Sequence, residues 1–152
     1  MTDAVPITYA HHVHGSGPGL LLAHGAGGGI EANYGPIMDG LAARHTVVGV
    51  DYPGSGRTPT ASAPLELEAL ADQLVAAADA EGLDTFAVCG YSLGGPVAIR
   101  AAVRRPARVT SLVLSATFAR VDTVPSWPPR SGRSSTNPDS TSCSAGTWPS
   151  WP

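Results

Sequence analysis

The stretch Gly90-Tyr91-Ser92-Leu93-Gly94 sets a serine between two glycines, each two positions away. An apolar run, Phe86-Ala87-Val88, precedes it, and a helix-like run, Pro96 to Arg104, follows. Few patterns restrict a chain more. A strand that passes directly into a helix must bend its backbone sharply at the serine. The glycines on either side leave room for that bend and let helix and strand approach closely. The hydroxyl then projects from the end of the sheet, and the free N–H groups of the new helix point at the same place. A chain with 18 glycines can produce the spacing by chance, so the strand before and the helix after are what give it weight.

The rest of the chain supplies elements of the matching kind. Ile7 to His14 has β-favouring residues in uneven alternation and ends at Gly15-Ser16-Gly17-Pro18-Gly19, which reads as a hairpin-like turn. Leu20-Leu21-Leu22-Ala23 and Thr46-Val47-Val48-Gly49-Val50 are short continuous apolar strands of the kind buried on both faces. Between them lie the glycine loop His24 to Gly29 and a helix from Tyr34 to Arg44. That helix should have Ile37, Met38, Leu41 and Ala42 on one face and Pro36 in its first turn. Leu65 to Glu81 carries Leu67, Leu70, Leu74 and Ala77-Ala78 at helical spacing, and Gly82 stops it. Asp84 to Cys89 is the strand before the serine, and Val109 to Leu114 is a further parallel-type strand. The alternation predicts an α/β fold: a mostly parallel sheet with flanking helices in three αβα layers.

Composition narrows the partners. The net charge is −3 with no basic cluster, which gives no reason to expect nucleic acid. No apolar run is long enough to cross a membrane, and the N-terminus lacks the pattern of a signal peptide. Of the two cysteines, Cys89 reads as a buried thiol and Cys143 as incidental, in keeping with a reducing, cytoplasmic setting. At about Val121 the character changes. Residues 121–152 hold all three tryptophans, six of the fourteen prolines and eight serines, with no hydrophobic period. The expected division is therefore a partial domain over residues 1–120 and a disordered, low-complexity tail over 121–152. A reading-frame shift or truncation would explain the abrupt junction, and a natural linker is the rival.

The serine motif, the loop His24-Gly25-Ala26-Gly27 after one strand, and Asp51-x-x-Gly54-x-Gly56-Arg57 after the next follow the order of the α/β-hydrolase fold family. Residues 7 to 120 resemble the N-terminal part of such an enzyme. The resemblance implies a nucleophile elbow with Ser92 as nucleophile. It also implies oxyanion donors at the backbone N–H of Leu93 and of Ala26. The reaction would be hydrolysis of an ester, amide or similar acyl bond through an acyl-enzyme, with no metal or organic cofactor. It implies structural roles for His24, which shapes the loop, and for Asp51, which ties down its turn with Arg57 pairing nearby. His11, His12 and His14 would be solvated on an edge strand, and His45 would sit at a helix end, where a cation offsets the dipole.

The chain departs from that family in one respect that matters for chemistry. The partners of the serine should follow it in the order acid, then histidine. All five histidines precede Ser92, and Asp122 and Asp139 are the only later carboxylates. The triad cannot be completed in the family's way by this polypeptide, so we expect a chain that is inactive or nearly so. The last strand should also be left with an open apolar edge that invites self-association.

Two other readings compete. A non-catalytic remnant or pseudoenzyme would bind an acyl ligand or a partner. A dinucleotide-binding module would use the glycine loop, with Asp51 on a ribose, but Ile30 stands where its third glycine belongs, and the elbow would go unexplained.

Overall fold

Leu20 to Ala23 are buried because they belong to the central strand of a five-stranded sheet. The computed structural model describes residues 7–118. The strands are β1 (His11–His14), β2 (Gly19–Ala23), β3 (Thr46–Val50), β4 (Phe86–Tyr91) and β5 (Val109–Ser115). The helices are α1 (Ile30–Ala42), α2 (Leu67–Ala80) and α3 (Gly94–Arg104). The order across the sheet is β1-β3-β2-β4-β5. β1 runs antiparallel to β3, and the other pairings are parallel. The expected tail over 121–152 lies outside the described residues.

Side chains alternate across the pleat and so build two cores. Leu21, Val48, Val50, Phe86 and Val88 face α2 and α3, meeting Leu70, Leu74, Val97, Ala98 and Ala101. Leu20, Leu22 and Val47 face the other way onto Ile30, Tyr34 and Met38 of α1. These are the three layers expected from the sequence.

Three local expectations need correction. The Gly15–Gly19 segment is not a hairpin, because β3 lies between β1 and β2. Gly15 and Gly17 have φ of 71° and 129°, and the loop packs on backbone carbonyls of Ala42 and Arg44, where no side chain would fit. Helix α1 starts at Ile30, before Tyr34, so Pro36 lies beyond its first turn. No local residue caps it. Instead the Asp51 carboxylate, from the end of β3, accepts the Ile30 N–H at 2.9 Å. A start set by a residue 21 positions away leaves no local trace in the sequence. The buried stripe is then Ile30, Tyr34 and Met38, and Ile37 is turned out at 54% exposure. By contrast, α2 ends as expected. Gly82 has φ of 66°, and the Gly82 and Leu83 N–H groups return to the carbonyls of Asp79 and Ala78.

Coverage of the sheet is uneven. Among the described residues β5 pairs only with β4. Leu112, Val113 and Leu114 are 38%, 53% and 42% exposed. Cys89, expected to be buried, is only partly so. It shares the α1 face with Ala87, at the margin of the core that α1 builds.

Candidate active site

Ser92 stands between the last residue of β4 and the start of α3, with φ of 51°. An L residue in this left-handed region costs about 1–2 kcal/mol, so neighbours must hold it there. Its N–H donates to the Ser115 carbonyl, and its own carbonyl accepts the Gly95 N–H and the Thr117 hydroxyl, all at 2.9 Å. The two motif glycines are steric necessities. A Cβ on Gly90 would meet the Gly94 carbonyl, and one on Gly94 would meet the Ala23 carbonyl. The following Gly95 is held as tightly, against the Thr117 side chain. Ser92 is half-buried.

The glycine loop lies against this bend. A Cβ on Gly25 would fall 3.3 Å from Ser92 Cβ and 3.1 Å from the Tyr91 ring. Ala26, next in the loop, is exposed. Among the described residues neither the Ala26 nor the Leu93 backbone N–H has a hydrogen-bond partner.

His24 is fully buried and does not serve the serine. Its Nε2 accepts the Tyr52 N–H at 3.0 Å, so the ring proton sits on Nδ1, which donates to the Gly25 carbonyl at 2.7 Å. The ring stacks on Tyr52 with centroids 3.9 Å apart. Burial holds it below the usual imidazole range, against the opposing pull of the Gly25 carbonyl and Asp51. With both nitrogens engaged, it is a structural neutral ring.

Asp51 is 1% exposed and gathers three segments. One oxygen takes the Ile30 N–H; the other takes the Arg57 N–H at 3.0 Å and His12 Nε2–H at 2.8 Å. Burial alone would raise this carboxyl, but the bonds from His12, Ile30 and Arg57 together bring it below the ordinary value. Both of its oxygens are thus taken up by bonds within the chain. His12 corrects the expectation for the edge strand: its side chain is 12% exposed and bonded, whereas His11 and His14 are exposed. The Arg57 guanidinium turns to the His11 carbonyl and His12 Nδ1, not to Asp51. His45 bonds the Leu41 carbonyl at the end of α1 through Nδ1 at 3.2 Å.

Sequence reasoning missed four contributors. Asn33 Oδ1 accepts the Gly25 N–H at 2.8 Å. The buried Tyr34 hydroxyl meets the carbonyls of Ala23 and Cys89 at 3.0 and 3.2 Å, just below the loop and the elbow. Tyr52 supports His24, and among the described residues its own buried hydroxyl has no partner. Thr117 clamps the serine peptide. Asn33, Tyr34 and Thr117 bond backbone atoms, so no pattern of residue types signalled them. A cavity of about 710 Å³ opens between β1 and the start of α1, with His12, His14, Glu31 and Arg57 in its wall. Ser92 is not among the lining residues. Asp122 and Asp139, the remaining candidate acids, lie outside the described residues.

The likeness to known proteins extends over this same region. The chain matches the family described by the alpha/beta hydrolase fold over residues 18–137. It is 43% identical over 106 residues to the pyrrolizixenacetamide deacetylase of Xenorhabdus hominickii, a match covering 70% of this chain and 40% of that protein. It is 39% identical over 110 residues to a pimeloyl-(acyl-carrier protein) methyl ester esterase of Neisseria meningitidis, covering 72% of this chain and 40% of that one. The solved structure of the enol-lactonase from Burkholderia xenovorans LB400 shares the fold, with a TM-score of 0.68 at 22% identity over 74% of this chain and 45% of that one. The chain thus spans about 40% of the length of the curated relatives it matches. A serine at a strand-to-helix bend, a glycine loop beside it and a sequence match over both make this chain a member of the α/β-hydrolase fold family.

Proposed function

We propose that this chain carries the nucleophile and oxyanion-binding part of a serine hydrolase acting on an ester, amide or similar acyl bond. Ser92 Oγ would attack the acyl carbon and give up its proton to a base. The carbonyl oxygen, now anionic, would be received by the N–H groups of Ala26 and Leu93, each worth about 3–4 kcal/mol in a formed site. Collapse of that intermediate would expel the alcohol or amine and leave an acyl-serine, which water then hydrolyses. The observation that carries this reading is the left-handed serine at the bend, with the glycine loop packed on it. Two relatives are named for removing an acetyl group and for cleaving a methyl ester, which supports an acyl substrate.

The base is the open requirement. Both nitrogens of His24 are engaged, and no histidine follows Ser92 in the sequence. This polypeptide by itself should therefore turn over slowly or not at all. The same observation favours the second reading, a non-catalytic member that binds an acyl ligand. A fluorophosphonate probe followed by intact-mass measurement separates the two. A single adduct on the wild type, absent in Ser92→Ala, supports an activated serine. A wild type that stays unlabelled at long exposure refutes it.

A further inference from the structure

We propose that Asn33 is a positioning residue of the serine site. Its side-chain oxygen holds the glycine loop so that the Ala26 N–H faces Ser92. This rests on the roles given to Ser92 and Ala26 above.

The loop does little to hold itself. Its one internal backbone bond, Gly28 N–H to the Gly25 carbonyl, is long at 3.4 Å. Gly27 has φ of 68°, and nothing lies within 4 Å of the place its Cβ would take. Glycine adds no stiffness of its own, so restraint must come from outside the loop.

That restraint converges on Gly25. The Gly25 carbonyl and the Ala26 N–H belong to one planar trans peptide and point in opposite directions. The bond from His24 Nδ1 to that carbonyl therefore helps to aim the Ala26 N–H. It restrains only one side of Gly25, whose φ and ψ stay soft. Asn33 Oδ1 holds the other side through the Gly25 N–H at 2.8 Å. With both flanking peptides held, the direction of the donor is set.

Asn33 is itself well seated. It lies in α1 three residues after Ile30, whose N–H is fixed by Asp51, and directly before Tyr34, whose hydroxyl meets the ends of β2 and β4. A Cβ on Gly28 would fall 2.8 Å from both Nδ2 and Oδ1 of Asn33, so the loop closes directly over this side chain.

The test uses the whole chain, ¹⁵N-labelled, as wild type, Asn33→Ala, Asn33→Asp and Tyr34→Phe. Asn33→Asp keeps the acceptor oxygen. Tyr34→Phe weakens the support beneath without touching the Gly25 bond. Amide exchange at Gly25 should rise roughly tenfold in Asn33→Ala, the fold-change expected for losing one such bond, and return towards wild type in Asn33→Asp. Tyr34→Phe should melt earlier yet keep Gly25 protected. Labelling of Ser92 by the fluorophosphonate should slow in Asn33→Ala and recover in Asn33→Asp. Equal Gly25 exchange in wild type and Asn33→Ala would overturn the proposal, as would equal labelling of the alanine and aspartate variants where the wild type takes the label. If the wild type takes no label, the hydrolase reading fails separately, and Gly25 exchange still decides whether Asn33 anchors the loop.

Discussion

Replacing Ser92 by glycine should make the fold more stable while removing its reactive atom. Ser92 has φ of 51°. A side chain in that region costs about 1–2 kcal/mol, and glycine pays none of it. Glycine also loses more freedom on folding, which returns about 0.5–1 kcal/mol to the unfolded state. The difference leaves a gain of roughly 0.5–1 kcal/mol, or about 2–5 °C in Tm for a domain of this size. Ser92→Ala is the control, because it deletes the hydroxyl but keeps the Cβ that causes the strain. The three hydrogen bonds around the Ser92 peptide are backbone bonds or end on backbone atoms, so both variants retain them. Thermal and urea unfolding of the three proteins at matched concentration would decide. A glycine variant no more stable than the alanine variant would show that the bend stores no strain and that its shape has another cause.

Further expectations can be checked in the same way. Tyr52→Phe removes a buried hydroxyl that lacks a partner among the described residues, so it should be neutral or stabilising by up to about 1 kcal/mol in urea unfolding; a loss above that would reveal an unseen partner. Acid should weaken the fold. The folded state holds both His24 and Asp51 below their ordinary values, so the unfolded chain binds protons more readily at each. Stability should be level above about pH 6.5, decline below it as unfolded His24 protonates, and fall further below about pH 4 through Asp51. A urea midpoint that rises from pH 7 to pH 5 would reverse that sign. Val113→Lys sets a charge on the exposed β5 edge and should shift a self-associated sample towards monomer in size-exclusion chromatography. An unchanged profile would place any association elsewhere.

The elements were legible because their signals are local. Apolar runs marked β2 and β3, helical spacing and Gly82 marked α2, and the glycine–serine–glycine spacing marked the elbow. The order of the strands was less so, since nothing in Gly15–Gly19 says that β3 will come to lie between β1 and β2. What stayed hidden is what works at a distance. Helix α1 is capped by a carboxylate 21 residues on, so its start and the place of Pro36 were misjudged. His12 read as a surface histidine because its partner, Asp51, is 39 positions away. Asn33, Tyr34 and Thr117 act on backbone atoms, and a backbone contact leaves no pattern in residue types.

The carboxylate of Asp51 has a practical consequence for anyone who would transplant the glycine loop together with the helix that follows it. It receives hydrogen from the first strand, from the start of a helix and from its own turn, over separations of 39, 21 and 6 residues. No short cassette contains all three donors. A graft of the loop and α1 alone would arrive without the carboxylate that caps the helix, and the recipient scaffold would have to supply an acid of equal reach.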